Sequence, residues 1–192
     1  MKKLLFSSAF LLLLASGLSA QTATLFNKSG LGWSGIWGGW AFGMTGFEDE
    51  LGVTRGGSVG LEFGKSLLVG YGGFRTTDEI AWGSDANSQF GLKYKGLILG
   101  YDVASRNVVH PVFKVLVGGG TATVDGVGAD KVFVLQPSAG LELNIFKIFR
   151  LGLDGGYRYV TNTDILNLQA TDLSAFYGEV NFKFNLSWGK GH

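Results

Sequence analysis

The chain has no cysteine and only two prolines, Pro111 and Pro137, in 192 residues. Without cysteine it has neither a disulfide framework nor a thiolate metal site. With so little proline, long alternating segments can run without the breaks that proline imposes on a hydrogen-bonded ladder. Histidine is as scarce, with His110 and the terminal His192 alone, so candidates for a general base are few. Long apolar runs are missing too. Beyond the first twenty residues no stretch reaches the roughly 20 apolar residues of a membrane-spanning helix. If this chain crosses a membrane, it does so with strands.

The opening residues read differently from the rest. Lys2 and Lys3 form a basic start, residues 4–15 are apolar, and Leu18-Ser19-Ala20 offers a small residue for cleavage. This is the pattern of a secretory signal peptide over residues 1–20, followed by a single domain over 21–192. Removing Lys2 and Lys3 leaves 14 basic against 15 acidic residues, a formal charge of −1. Nothing in that balance suggests nucleic acid as a partner.

What is abundant is glycine, with 32 residues, scattered through segments that alternate apolar with polar. The last of these, "SAFYGEVNFKFNLSW", sets Phe176, Val180, Phe182, Phe184, Leu186 and Trp188 against Glu179, Asn181, Lys183 and Asn185. A Gly- and Trp-rich stretch from near Trp33 to Met44, and the segments "GGSVGLEFG", "SLLVGYGGFR", "QFGLKYKGLILGY", "VVHPVFKVLVGG", "VFVLQPSAGLELNI" and "FRLGLDGGYRYV", bring the count to about eight strands. Alternation weakens near Leu97, where a bulge is expected; the glycines and this bulge would also permit a lateral opening. Long connections near 45–54, 76–88, 119–131 and 161–173 alternate with short ones near 65, 102–107 and 146–148. Membrane barrels show this asymmetry, with short periplasmic turns and longer outer loops.

Alternation alone does not say which face points inward. A soluble barrel would enclose the aromatics and a membrane barrel would turn them to lipid. Two features favour the second. The polar faces carry both signs: Glu62, Glu142, Asp154 and Glu179 against Lys93, Lys95, Lys114, Arg150, Arg158 and Lys183. Such residues can pair across the narrow lumen of eight strands, whereas a Lys or Arg facing lipid at mid-bilayer costs about 2–4 kcal/mol. Aromatics also gather at strand ends, Trp33, Phe149 and Trp188 on the short-turn side and Tyr157 and Tyr159 towards the loops, as interfacial girdles require.

On the strength of "FYGEVNFKFNLSW" and "LELNIFKIFRLGLDGGYRYV", the chain resembles the small eight-stranded outer membrane β-barrels of Gram-negative bacteria. It is similar to the transmembrane domain of outer membrane protein A and to outer membrane protein X. The resemblance implies an all-β, antiparallel up-and-down barrel in the outer membrane, with both termini periplasmic. It also implies contact with outer membrane lipids, and recognition by the barrel insertion machinery through a final strand ending in an aromatic, here Trp188.

Chemistry is harder to find. His110 precedes Pro111 at a short-turn end, lacks the His-x-Ser arrangement of lipid deacylases, and reads as a lumen or rim residue. The glycine-rich "GGGTATVDGVG" and "GYGG" open no helix, so no phosphate-cradling loop is supported. No residues have metal-ligand spacing. The expectation is therefore no catalytic, cofactor-binding or metal site. Ten of the fifteen acidic residues lie in the long connections: Glu48, Asp49, Glu50, Asp78, Glu79, Asp85, Asp125, Asp130, Asp164 and Asp172. A rim so acidic could bridge through divalent cations to lipopolysaccharide phosphates. Trp82, Leu166 and Leu168 could cover the barrel mouth or meet a surface partner, whose identity the residues do not reveal. The function expected first is a non-catalytic barrel, its lumen plugged by paired charges, acting in envelope structure or surface interaction. The alternative is a narrow pore or carrier for small or hydrophobic solutes, and a lipid-modifying enzyme comes third.

Overall fold

A computed structural model describes residues 32–47, 50–77, 80–81, 89–124, 128–161 and 173–188. The expected signal segment lies outside the described residues. So do Glu48, Asp49, Asp78, Glu79, Trp82, Asp85, Asp125, Asp164, Leu166, Leu168 and Asp172.

The described residues form nine strands: β1 (Trp33–Phe47), β2 (Glu50–Phe63), β3 (Leu67–Thr76), β4 (Ile80–Ala81), β5 (Gln89–Asp102), β6 (Val109–Val124), β7 (Gly128–Phe146), β8 (Phe149–Thr161) and β9 (Ala175–Ser187). Eight of them close into an antiparallel barrel in the order β3-β2-β1-β9-β8-β7-β6-β5, with β3 pairing back to β5. The short β4 adds two rungs to β5. Each of the eight barrel strands is paired on both sides, the condition under which strands can stand in lipid.

The register fixes the tilt. Cα partners lead from Gly35 to Glu62, Leu68, Gly100, Lys114, Ser138, Gly156 and Tyr177, and return to β1 at Thr45, ten residues further along. A stagger of this kind is inseparable from strands inclined to the barrel axis. A line of paired residues therefore climbs towards the loop side, by a little over one residue per strand, in passing from β1 through β2, β3 and β5.

At the short-turn end, β2 passes to β3 through Gly64 and Lys65, both left-handed with φ of 59° and 61°. The other end differs from the sequence expectation. β1 runs to Phe47 and β2 begins at Glu50, while β6 runs to Val124 and β7 begins at Gly128, so two of the four supposed long connections are mostly ladder. The physical reason is that backbone pairing continues past the apolar zone. There both faces can be polar, and period-two patterning is no longer required.

The bulge expected near Leu97 is absent. Pairing of β5 is unbroken with β3, from Leu67↔Tyr101 to Arg75↔Lys93, and with β6. Leu97 and Leu99 face outward while Ile98 is buried. Alternation is lost in the sequence because both faces are apolar here, not because the ladder slips. Register shifts occur instead at Trp33/Gly35 and Asn144/Phe146.

The outer face is broadly apolar, with Trp40, Val59, Leu97, Phe113, Leu153 and Phe184 all exposed. The interior has two parts. Trp37, Leu68, Ile98 and Leu116 belong to one apolar cluster with Leu92, Tyr94, Val124, Val134 and Val160. The rest of the interior is polar, and most of those side chains are charged.

Candidate functional site

The charged interior is built mainly by β7, β8 and β9, whose inward positions carry the polar half of the alternation. Glu62 lies at the short-turn end of β2 and is fully buried. It accepts hydrogen bonds from Ser34 Oγ at 2.9 Å, Ser187 Oγ at 2.8 Å and Asn185 Nδ2 at 2.5 Å. A carboxylate held by three donors across the β1–β9 closure satisfies the acceptor sites that burial would otherwise leave costly.

Above it sits a five-membered cluster. Arg150 Nη1 donates to Asp102 Oδ2 at 2.8 Å, and Lys183 Nζ stands 3.2 Å from the same oxygen and 2.6 Å from Glu142 Oε2. His110 is buried with both ring nitrogens facing acceptors, Nδ1 at 3.2 Å from Asn107 O and Nε2 at 3.5 Å from Glu142 Oε2. Next, Lys114 pairs with Asp154, and stands 3.7 Å from Glu179. Asn181 Nδ2 bridges these acids, donating to Asp154 Oδ2 at 2.6 Å and Glu179 Oε1 at 3.2 Å.

Arg158 closes the series towards the loop side. It is fully buried and donates to Thr45 Oγ1 at 2.9 Å and to Gln136 Oε1 at 3.3 Å. Its guanidinium lies 5.0 Å from the Tyr94 ring centre and 5.9 Å from that of Tyr177. Two aromatic faces thus take the place of part of the water a buried cation has lost.

Eight residues of the expected lumen set are therefore inside: Glu62, Lys114, Glu142, Arg150, Asp154, Arg158, Glu179 and Lys183. Lys93 and Lys95 are not. Both are exposed on the outer face, because β5 turns Leu92, Tyr94, Gly96 and Ile98 inward. The expectation failed by assuming that polar residues always take the inner face. Along β5 the interior is apolar, and the alternation has the opposite sense. His110, read from the sequence as a lumen or rim residue, is inside against Glu142, and Asp102 belongs to the network without having been anticipated in it. The signal for Asp102 was the register, which follows from β5 continuing unbroken to its last residue.

Among the strand-end aromatics, Trp33 and Trp188 meet edge to face at 4.9 Å between ring centres. Beside them, Trp188 N donates to Ser34 O at 2.7 Å. Phe149 packs on Phe184 at 5.1 Å. Tyr157 and Tyr159 lie 4.5 Å apart, with Phe176 4.8 Å from Tyr157. A double-mutant cycle of Trp33→Ala and Trp188→Ala, read by urea unfolding in lipid vesicles, is expected to give a coupling of about 0.5–1.5 kcal/mol. Strict additivity would mean that the pair does not secure closure.

No family model matches the chain, and no curated protein matches it. Solved structures do. Neisserial surface protein A is 16% identical with a TM-score of 0.59, the match covering 81% of this chain and 97% of that one. The N-terminal β-barrel domain of Pseudomonas aeruginosa OprF is 13% identical with a TM-score of 0.59, over 79% and 97%. The outer membrane protein OprG from Pseudomonas aeruginosa is 9% identical with a TM-score of 0.55, over 80% and 96%. The chain has the fold of these barrels, and at such identities the likeness is one of fold.

Proposed function

We propose that this chain is an integral outer membrane barrel that neither catalyses nor conducts, and that it acts in envelope structure or at the surface through its outer face and loop end. The observation that carries this is the filled interior. Charged side chains from β2, β5, β6, β7, β8 and β9 meet there in compensated groups. The space between them and Trp37, Leu68 and Leu116 is about 50 Å³, on the scale of a few waters. Passage of a solute would require these ion pairs to part.

Two of the structural neighbours are a neisserial surface protein and an outer membrane protein of Pseudomonas aeruginosa, which supports the same location. Both ends of the barrel chain, the start of β1 and the end of β9, lie on the short-turn side, which the proposal assigns to the periplasm. Electrophoresis of the outer membrane fraction should give a faster-migrating unheated band, and the purified barrel should give no steady ohmic step in a planar bilayer at moderate voltage. A band in the soluble periplasmic fraction would overturn the membrane reading. A stable conductance would overturn the closed lumen and favour the narrow pore.

A further inference from the structure

The two lysines that face outward are part of a larger pattern. Cα pairing joins Arg55 to Arg75, Arg75 to Lys93, Lys93 to Thr121 and Thr121 to Lys131. This is one continuous row across β2, β3, β5, β6 and β7 on the loop-side half of the outer face. Arg55, Arg75, Lys93 and Lys131 are all exposed, as is Lys95, one outward step below the row. Because the register line climbs from strand to strand, Lys95 comes roughly level with Arg55 and Arg75. Among the described side chains no Asp or Glu is exposed, and Asp130, beside Lys131 in sequence, is half-buried. Among the described outward side chains the patch is therefore of one sign.

Directly below lies a groove. Outward glycines Gly73 and Gly119 leave the barrel wall bare between the cations and the apolar side chains of Tyr71, Leu97 and Val117, within an open space of about 1210 Å³. Cations on a lipid-facing surface are costly at mid-bilayer, by about 2–4 kcal/mol each, and nearly free at the headgroup level. A row of four or five must therefore mark the interface, and like charges on adjacent strands repel unless an anion lies among them. Strands are spaced by about 4.8 Å, so Arg55, Arg75 and Lys93 extend over roughly 10 Å, with Lys95 beside them. One phosphate does not neutralise four cations spread over that width; two or more on a single headgroup come closer.

We infer that this face is a binding site for an outer-leaflet glycolipid carrying more than one phosphate, the lipid A part of lipopolysaccharide. Its phosphates meet Arg55, Arg75, Lys93 and Lys95, and an acyl chain lies in the glycine-floored groove. Arginine forks match phosphate oxygens in pairs, and the groove admits a chain where a side chain at Gly73 or Gly119 would fill it. The inference rests on the outer membrane reading above, with the loop end outermost.

The test uses the whole barrel in nanodiscs containing bis-phosphorylated lipid A, the same lipid with its phosphates removed, or phosphatidylglycerol. Lipid kept through detergent exchange is counted by mass spectrometry. Wild type should keep lipid A at least about tenfold better than its dephosphorylated form, the worth of one charge-assisted hydrogen bond. Arg55→Gln/Arg75→Gln/Lys93→Gln/Lys95→Gln should lose that preference, while Lys147→Gln, at the short-turn end, should keep it. Unheated migration of each variant reports insertion separately, so a failure of the barrel reading is distinguishable from a failure of the lipid site. If the quadruple variant does not insert, Arg55→Gln/Arg75→Gln carries the comparison. Equal retention by wild type and an inserted variant would overturn the inference. So would retention that ignores the phosphates, or that favours phosphatidylglycerol.

Discussion

Replacing Lys183 by glutamate is expected to remove most of the stability of the folded barrel. Lys183 Nζ is the shared cation between Glu142 Oε2 at 2.6 Å and Asp102 Oδ2 at 3.2 Å, and the residue is buried. Reversal would put three carboxylates in one enclosed space, with Arg150 facing all of them. Removing one partner of a buried ion pair costs about 3–5 kcal/mol, and reversal adds like-charge repulsion to that loss. Against a typical total of about 5–15 kcal/mol, such a change decides whether a barrel forms.

Lys183→Met separates the terms. It keeps most of the length of the side chain and removes the charge without adding a new one, so its loss should be smaller. Lys183→Glu combined with Glu142→Lys restores one cation among the acids and should recover part of the loss. Lys147→Glu, exposed at the short-turn end, should stay within about 0.5 kcal/mol of wild type. Urea unfolding in vesicles, with unheated migration as the sign of closure, gives all four values. Equal destabilisation by Lys183→Glu and Lys147→Glu would mean that the ion-pair cluster contributes nothing to closure.

How legible this interior is from the chain differs by strand. On β8 and β9 one face is aromatic or aliphatic and the other polar, so Arg150, Asp154, Arg158, Glu179 and Lys183 share a face by period two alone. On β5 the same rule points the wrong way. Leu92, Tyr94 and Ile98 are buried while Lys93 and Lys95 face out, because the interior beside them is filled by apolar side chains. A strand's polarity pattern gives two faces but not their destinations. Those depend on the neighbouring strands, and neighbours are set by a register that no single segment contains. The apolar filling of the interior was hidden for the same reason. Trp37 sits in a glycine-rich stretch whose facing is ambiguous, and its surroundings come from β2 and β3.

That tryptophan carries the other large prediction. Trp37 is buried, and its Nε1 donates to Leu61 O at 3.2 Å, so the indole lies across β2 towards β3. It can do so because its neighbours have no side chains. A Cβ at Gly60 would stand 2.8 Å from Trp37 Cε2, and one at Gly70 would stand 2.5 Å from Trp37 Cζ2. Gly70→Leu is expected to destabilise the barrel by about 1–3 kcal/mol or more, the cost of overpacking. Trp37→Ala should cost about 3–5 kcal/mol through the void it leaves.

The informative variant is the pair. Trp37→Ala opens the space that Gly70→Leu needs, so the double change should cost less than the sum of the two. It will not return to wild type, because the new Cβ also stands 2.6 Å from Val59 O, and backbone does not yield to the loss of a ring. Additive losses in urea unfolding would show that indole and glycine are independent. A shortfall would show that part of this chain's glycine content is the recess cut for one side chain, as the bare wall at Gly73 and Gly119 is a recess on the outer face.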